Sequence, residues 1–169
     1  VLLYTFSKKF AMTGWRLGAA IGPKDVIDII NKFNVNAESC TCQFVQWGGL
    51  EGVTGDQSGP KKIIDILRER RDVAVDILNA TPGVTCIKPN ASFYLYPDVT
   101  DLMAAKGFGD NYDAFAEDVL TKTGVSFCTR LHFGRPLPGE TRRYIRLAFS
   151  GIDTKDIREG LGKLKAYAS

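Results

Sequence analysis

Several absences bound the sequence before any motif is read. It has one histidine, His132, and four cysteines, Cys40, Cys42, Cys86 and Cys128. The Cys40-Thr-Cys42 spacing is too tight for the usual zinc pair and no second pair exists, so no metal site is expected. The cysteines read instead as reduced packing residues, which fits a cytosolic, and so cytoplasmic, protein. No basic block or basic–aromatic stripe occurs, and Lys and Arg lie scattered among acids with a net charge of only +3, which argues against nucleic acid. No apolar run approaches the roughly 20 residues needed to cross a bilayer. The opening Val-Leu-Leu-Tyr-Thr has no initiator methionine, basic stretch or cleavage site, and does not read as a signal peptide. Internal repeats, low-complexity segments, a P-loop and a zinc-protease motif are lacking. Gly107-Phe-Gly-Asp lacks the third glycine and the preceding strand of a dinucleotide fingerprint.

What is present is a chain of 169 residues, 44% hydrophobic and 24% charged, which suits one or two globular units. The patterning predicts a buried strand over 1–6, a second over 17–21, and a helix over 24–33. A polar loop is expected over 34–41 and a helix over 42–53, although Gly48-Gly49 falls inside it. Pro60 opens the strongest helix, running to about Leu78, with residues 68–72 mostly solvated charge. Strands are predicted over 84–87 and 92–96, a helix over 113–122 stopped by Gly124, and a short strand over 125–128. A Gly/Pro-rich loop over 129–141, a strand over 144–149 and a closing helix over 153–167 complete the order.

The most informative stretch is residues 4–18, Tyr-Thr-Phe-Ser-Lys-Lys-Phe-Ala-Met-Thr-Gly-Trp-Arg-Leu-Gly. It sets Lys8 just past a strand, with Thr5 and Ser7 before it and Arg16 eight residues after it. A lysine amine can form a Schiff base with an aldehyde, while a hydroxyl and a guanidinium can hold a phosphate. An aldehyde that carries a phosphate is pyridoxal 5'-phosphate, PLP. The amine must be neutral to react, and an ordinary lysine near pKa 10.4 is almost wholly charged at neutral pH, so desolvation or positive neighbours are required. The plain alternatives are a surface lysine, an arginine paired with an exposed carboxylate, and a strand threonine without function.

The run Ser7-Lys-x-Phe-x-Met-Thr-Gly-Trp-Arg-x-Gly18 resembles the PLP-lysine signature of class I (aspartate-type, fold type I) aminotransferases. The resemblance implies that Lys8 is the catalytic, PLP-bound lysine and that Thr5 and Arg16 bind the cofactor phosphate. Lys9 is the competing lysine, but only Lys8 stands eight residues before the arginine. The run 91–97, Ala-Ser-Phe-Tyr-Leu-Tyr-Pro, is similar to a small-domain strand of the family. The strand 144–149 is similar to the one bearing the arginine for the substrate α-carboxylate, here Arg146, with Arg142 and Arg143 as nearby rivals. Phe133-Gly134 matches the end of a substrate loop whose usual start is replaced by Thr129-Arg130-Leu131-His132.

The implied fold class is α/β, the C-terminal part of the PLP-dependent transferase fold type I. It would comprise the end of the large-domain sheet (1–59), a connector helix (60–81) and an α+β small domain (82–169). The implied function is ping-pong transfer of an amino group from an L-amino acid, aspartate or an aromatic one, to a 2-oxo acid. The complete enzyme would be a homodimer, since residues 36–43 resemble a segment near the neighbouring subunit's site. The upstream half of the site is not found in the chain, so it reads as a fragment, inactive alone and with underpaired strands over 1–6 and 17–21. A PLP lyase or synthase using the same residues, and a non-catalytic α/β interaction domain, remain open at this point.

Overall fold

Strand β1 (Leu2–Thr5) folds back on β2 (Gly18–Ile21) as an antiparallel ribbon, with Leu2 opposite Ile21 and Thr5 opposite Gly18. This is a computed structural model, and it describes residues 1–169. The chain divides into two units, Val1–Ile63 and Ile64–Ser169.

In the first unit the ribbon is followed by helices α1 (Lys24–Ala37) and α2 (Gln43–Thr54). The expected burial of β1 does not occur: Leu2 is 58% and Leu3 79% exposed, because β2 is its only strand neighbour. The predicted loop at 34–41 is also corrected, since α1 runs on to Ala37. Polar composition alone does not stop a helix; here Asn36 caps the Lys32 carbonyl and Glu38 N–H reaches the Asn34 carbonyl at 2.8 Å. The core of this unit is small: Phe6, Met12, Leu17 and Val45, with Tyr4 and Phe10 against it. The glycines inside α2 have a packing reason. A Cβ on Gly49 would stand 2.4 Å from Leu17 Cδ2, and one on Gly52 3.3 Å from the Phe10 ring. Cys40 and Cys42 are free and exposed, contrary to the expectation of packing residues, because they lie between α1 and α2.

Helix α3 (Ser58–Asn79) begins two residues before Pro60, and the division between units falls within it. Its second half enters the core of the second unit through Ala74, Val75 and Leu78. Arg71 is not solvated as expected: it donates to Asp72 and to the Pro89 carbonyl. The remaining elements are β3 (Tyr94–Leu95), α4 (Thr100–Ala105), α5 (Tyr112–Thr123), β4 (Cys128–Thr129), β5 (Ile145–Ala148) and α6 (Thr154–Ala168). The sheet has the order β3-β5-β4, antiparallel throughout. Phe115, Leu78, Leu95, Met103 and Ile145 are almost fully buried at its centre.

No strand forms over 84–87, and the strand predicted over 92–96 shrinks to two residues. The first segment makes only an isolated bridge, Thr85 exchanging backbone bonds with Asp98 at 3.0 and 2.8 Å, while the Asn79 amide accepts the next residue's N–H, Cys86, at 2.8 Å and donates to the Cys86 carbonyl at 3.0 Å. Helix α4, absent from the sequence reading, packs on Gly83, where φ is +71° and a Cβ would meet the Leu102 backbone nitrogen at 2.6 Å. The ends of α5 and α6 are set by local contacts, of which Gly124 was the expected one. Asn111 and Asp153 accept N–H groups of their first turns, and Gly124 at φ +74° stops α5.

Candidate functional site

The residues singled out in the sequence fall into two groups, one in each unit. In the first unit, Thr5 ends β1, and Lys8 and Arg16 stand on the single connection from β1 to β2. The loop is framed by a chain of side-chain hydrogen bonds. Ser7 N–H donates to Thr5 Oγ1 (3.2 Å), Thr13 Oγ1 donates to the Ser7 carbonyl (3.1 Å), and Arg16 Nη1 donates to the Thr13 carbonyl (3.1 Å). Thr5 and Arg16 are thus tied, through Ser7 and Thr13, to the segment that carries Lys8.

Beneath the loop, Phe6 and Leu17 are joined by a backbone bond of 3.3 Å, and Phe6 stacks on Phe10 with ring centroids 5.7 Å apart. These contacts hold Ala11 (φ 54°) and Arg16 (φ 53°) in the left-handed region, a conformation that costs non-glycine residues roughly 1–2 kcal/mol each. Two such residues within one short loop mark a backbone held by its surroundings. Lys9, the competing lysine, lies with its Nζ 4.9 Å over the Phe10 ring. Lys8, Thr5 and Arg16 are all exposed, so the desolvation expected around Lys8 is not supplied by this chain.

In the second unit, Arg146 sits at the middle of β5, directly opposite Cys128 of β4. Its strand neighbours Ile145 and Leu147 point into the core, so the alternation turns Arg146 to the other face, where it is half-buried. The guanidinium carbon lies 4.3 Å from the Tyr94 ring centroid and 4.6 Å from that of Phe133, and Nη2 is 3.6 Å from Cys128 Sγ. The ion pairs nearby go to its neighbours: Arg142 to Asp98 at 3.3 Å and Arg130 to Glu140 at 2.9 Å. Arg146 itself makes no ion pair with a carboxylate of this chain.

The segment that carries Phe133 is anchored in a way the sequence did not signal. Thr129, almost fully buried, caps the short 3-10 turn Arg130–Phe133, and His132 Nδ1 accepts the Thr129 N–H at 3.2 Å. His132 thus has a capping role. Glu140 closes the loop, accepting from Leu137 N–H and from Arg130. The Leu137 N–H, and next the Arg130 guanidinium, hold its carboxyl below the usual range against partial desolvation. A separate, mainly apolar cleft of about 330 Å³ lies between β5 and α6, and neither Arg146 nor its ring partners line it. No helix is long and apolar enough to cross a membrane.

Comparison with known proteins covers both units. The family profile described as aminotransferase class I and II matches residues 1–164. The chain is 36% identical over 146 residues to an aspartate aminotransferase of Musicola paradisiaca, covering 86% of this chain and 34% of that protein. It is 30% identical over 167 residues to an aspartate/prephenate aminotransferase of Cereibacter sphaeroides, covering 96% and 40%. Among solved structures, the aspartate aminotransferase from Rhizobium meliloti superposes with a TM-score of 0.83 at 25% identity, over 98% of this chain and 41% of that one. The chain therefore spans between a third and about two-fifths of the length of these relatives.

Proposed function

This chain belongs to the class I and II aminotransferase family and has part of the α/β architecture of fold type I; from that premise we propose that it carries the lysine and the carboxylate-binding arginine of a PLP-dependent aminotransferase. The reaction is transfer of an amino group from an L-amino acid, aspartate or an aromatic one, to a 2-oxo acid. The observation that carries this reading is the β1–β2 loop, in which one hydrogen-bonded frame joins Thr5 and Arg16 around Lys8.

The donor set of this loop fits PLP: an amine for its carbonyl carbon, and a hydroxyl and a guanidinium for its phosphate. When bound, PLP supplies an electron sink for the charge left at the substrate Cα. Lys8 Nζ would hold the cofactor and would serve as the base for the Cα proton of the donor amino acid. Thr5 Oγ1 and the Arg16 guanidinium would hold the phosphate. Arg146 grips the α-carboxylate edge-on with two parallel hydrogen bonds, which fixes the orientation of the Cα–H bond. Because Lys8 is exposed here, its desolvation is assigned to substrate, cofactor and protein segments outside this chain. In this reading 1–59 is the end of a large domain, 60–81 a connector and 82–169 a small domain, within a cytoplasmic homodimer.

Borohydride reduction with PLP followed by peptide mapping tests the proposal. Phosphopyridoxyl on Lys8 of the complete protein is the expected result. A label spread over many lysines, or absent from Lys8, overturns it.

A further inference from the structure

We propose that Tyr94, Phe133 and Cys128 act as positioning residues that preset the Arg146 guanidinium for a planar carboxylate; the inference rests on the role given above to Arg146.

The argument starts from the side chain itself. A free arginine samples many rotamers, and immobilising it on binding costs affinity. In this structure that ordering is already done by three contacts from the two strands flanking β5. Tyr94 comes from β3 on one side of β5, while Cys128 of β4 and Phe133 just beyond it come from the other. The rings lie 4.3 and 4.6 Å from the guanidinium carbon, within the range of cation–π attraction. Cys128 Sγ at 3.6 Å occupies one edge through Nη2. Sulfur accepts hydrogen bonds weakly, so it steadies this edge without neutralising the charge.

A carboxylate in the place of Cys128 would form an ion pair with Arg146 and compete with any substrate. Here the nearby acids are engaged elsewhere, Asp98 with Arg142 and Glu140 with Arg130. The guanidinium is thus held by groups that leave its charge available. The rings also restrict approach along their sides, which favours a ligand lying in the guanidinium plane. Two parallel hydrogen bonds in that plane suit the flat fork of a carboxylate, whereas a tetrahedral oxyanion also carries an oxygen out of the plane, toward the rings. Phe133 owes its place to the Thr129–His132 cap, so the chain's departure from the family's usual loop start is used to set one of the two rings.

The test uses the complete PLP-loaded protein with propionate and ethanesulfonate as competing probes. Phe133→Leu and Tyr94→Leu are expected to raise KM for the amino donor and weaken propionate inhibition by roughly three- to tenfold, with kcat changed by less than about twofold. Phe133→Tyr, which keeps the ring, restores both values to near the parent. Cys128→Asp weakens propionate far more than Cys128→Val, because it places a carboxylate at the guanidinium. Propionate is expected to outcompete ethanesulfonate in the parent, and the preference to shrink in the leucine variants. Borohydride trapping at Lys8 in every variant serves as the independent readout. Normal trapping with propionate affinity unchanged in both leucine variants overturns the positioning role alone. Loss of affinity in Phe133→Tyr equal to that in Phe133→Leu also overturns it, since the ring is then not the cause. Unchanged affinity in Arg146→Lys overturns the role of Arg146 and this inference with it, while failure to trap at Lys8 in the parent overturns the aminotransferase reading.

Discussion

Replacing Gly49 by alanine puts the packing beneath the lysine loop to a test in which two effects oppose each other in sign. Gly49 lies inside α2, where glycine-to-alanine substitution favours the helix by roughly 0.8–1.0 kcal/mol. The added Cβ would stand 2.4 Å from Leu17 Cδ2 and 3.4 Å from Phe6 Cε1. Leu17 must retreat by about 1 Å to reach ordinary contact. It is only 9% exposed, and Phe6 is equally buried beside it, so neither side chain has open space to move into. Overpacking of this kind costs about 1–3 kcal/mol. The net expectation is a destabilisation of about 0–2 kcal/mol. Gly162, in the interior of α6, provides the contrast, because a Cβ there meets nothing within 4 Å. Gly162→Ala should therefore stabilise by roughly 0.8–1.0 kcal/mol. Both of this chain's tryptophans, Trp15 and Trp47, belong to the first unit, so urea unfolding followed by their fluorescence reports on Gly49→Ala, and circular dichroism on Gly162→Ala. If Gly49→Ala stabilises by as much as Gly162→Ala, Leu17 and Phe6 do not press on α2 and the account of the loop's support is wrong.

Two further outcomes follow from burial and charge. Cys86 is buried, which pushes its thiol up to about 11, whereas Cys40 and Cys42 are exposed and Cys128 half-buried. A thiol reagent at pH 8 should label Cys40 and Cys42 first, Cys128 later and Cys86 only on unfolding; rapid labelling of Cys86 by mass mapping would contradict its burial. Asp72 accepts from Arg71 and Lys88, which lower its pKa from 3.8 to about 2. Because the folded value is depressed, its contribution to stability is complete above the unfolded value near 4 and is lost as pH falls through about 2. Carbon-detected titration should show a midpoint near 2 that climbs toward 3.8 in Arg71→Gln, and an ordinary midpoint in the parent would refute the pairing.

The parts of the fold that were legible in the sequence are those governed by local chemistry. Gly124 as the stop of α5 and the apolar spacing of α3 act within a few residues of themselves, and the structure obeys them. The errors lie where partners distant in sequence decide. Residues 84–87 have strand composition, but pairing stops at the single bridge from Thr85 to Asp98, and Asn79 of α3 takes both backbone groups of Cys86. Helix α4 forms over a segment too short to show a period, anchored by Leu102 N–H on the Gly83 carbonyl at 3.1 Å. The helix expected over 42–53 does form, and the glycine at 49 gains its reason only in three dimensions, where Leu17 and Phe6 come to rest against it.

The candidate residues were legible for a related reason. Covalent and ionic chemistry restricts the residue types at a few positions tightly, and those types stand out on a line of text. Arg146 and its rivals Arg142 and Arg143 lie close together in sequence, and the sheet sets Arg146 apart from Arg142. Alternation on a central strand forces a residue between Ile145 and Leu147 onto the opposite face, while Arg142 stays in the loop and closes on Asp98. The pieces that were not legible are the uncharged ones around it. Tyr94 and Cys128 carry no signal of their own, since their relation to Arg146 exists only once β3 and β4 have paired with β5. An arginine's role is written in its own type, but the readiness of its guanidinium is set by neighbours that only the sheet register brings to it.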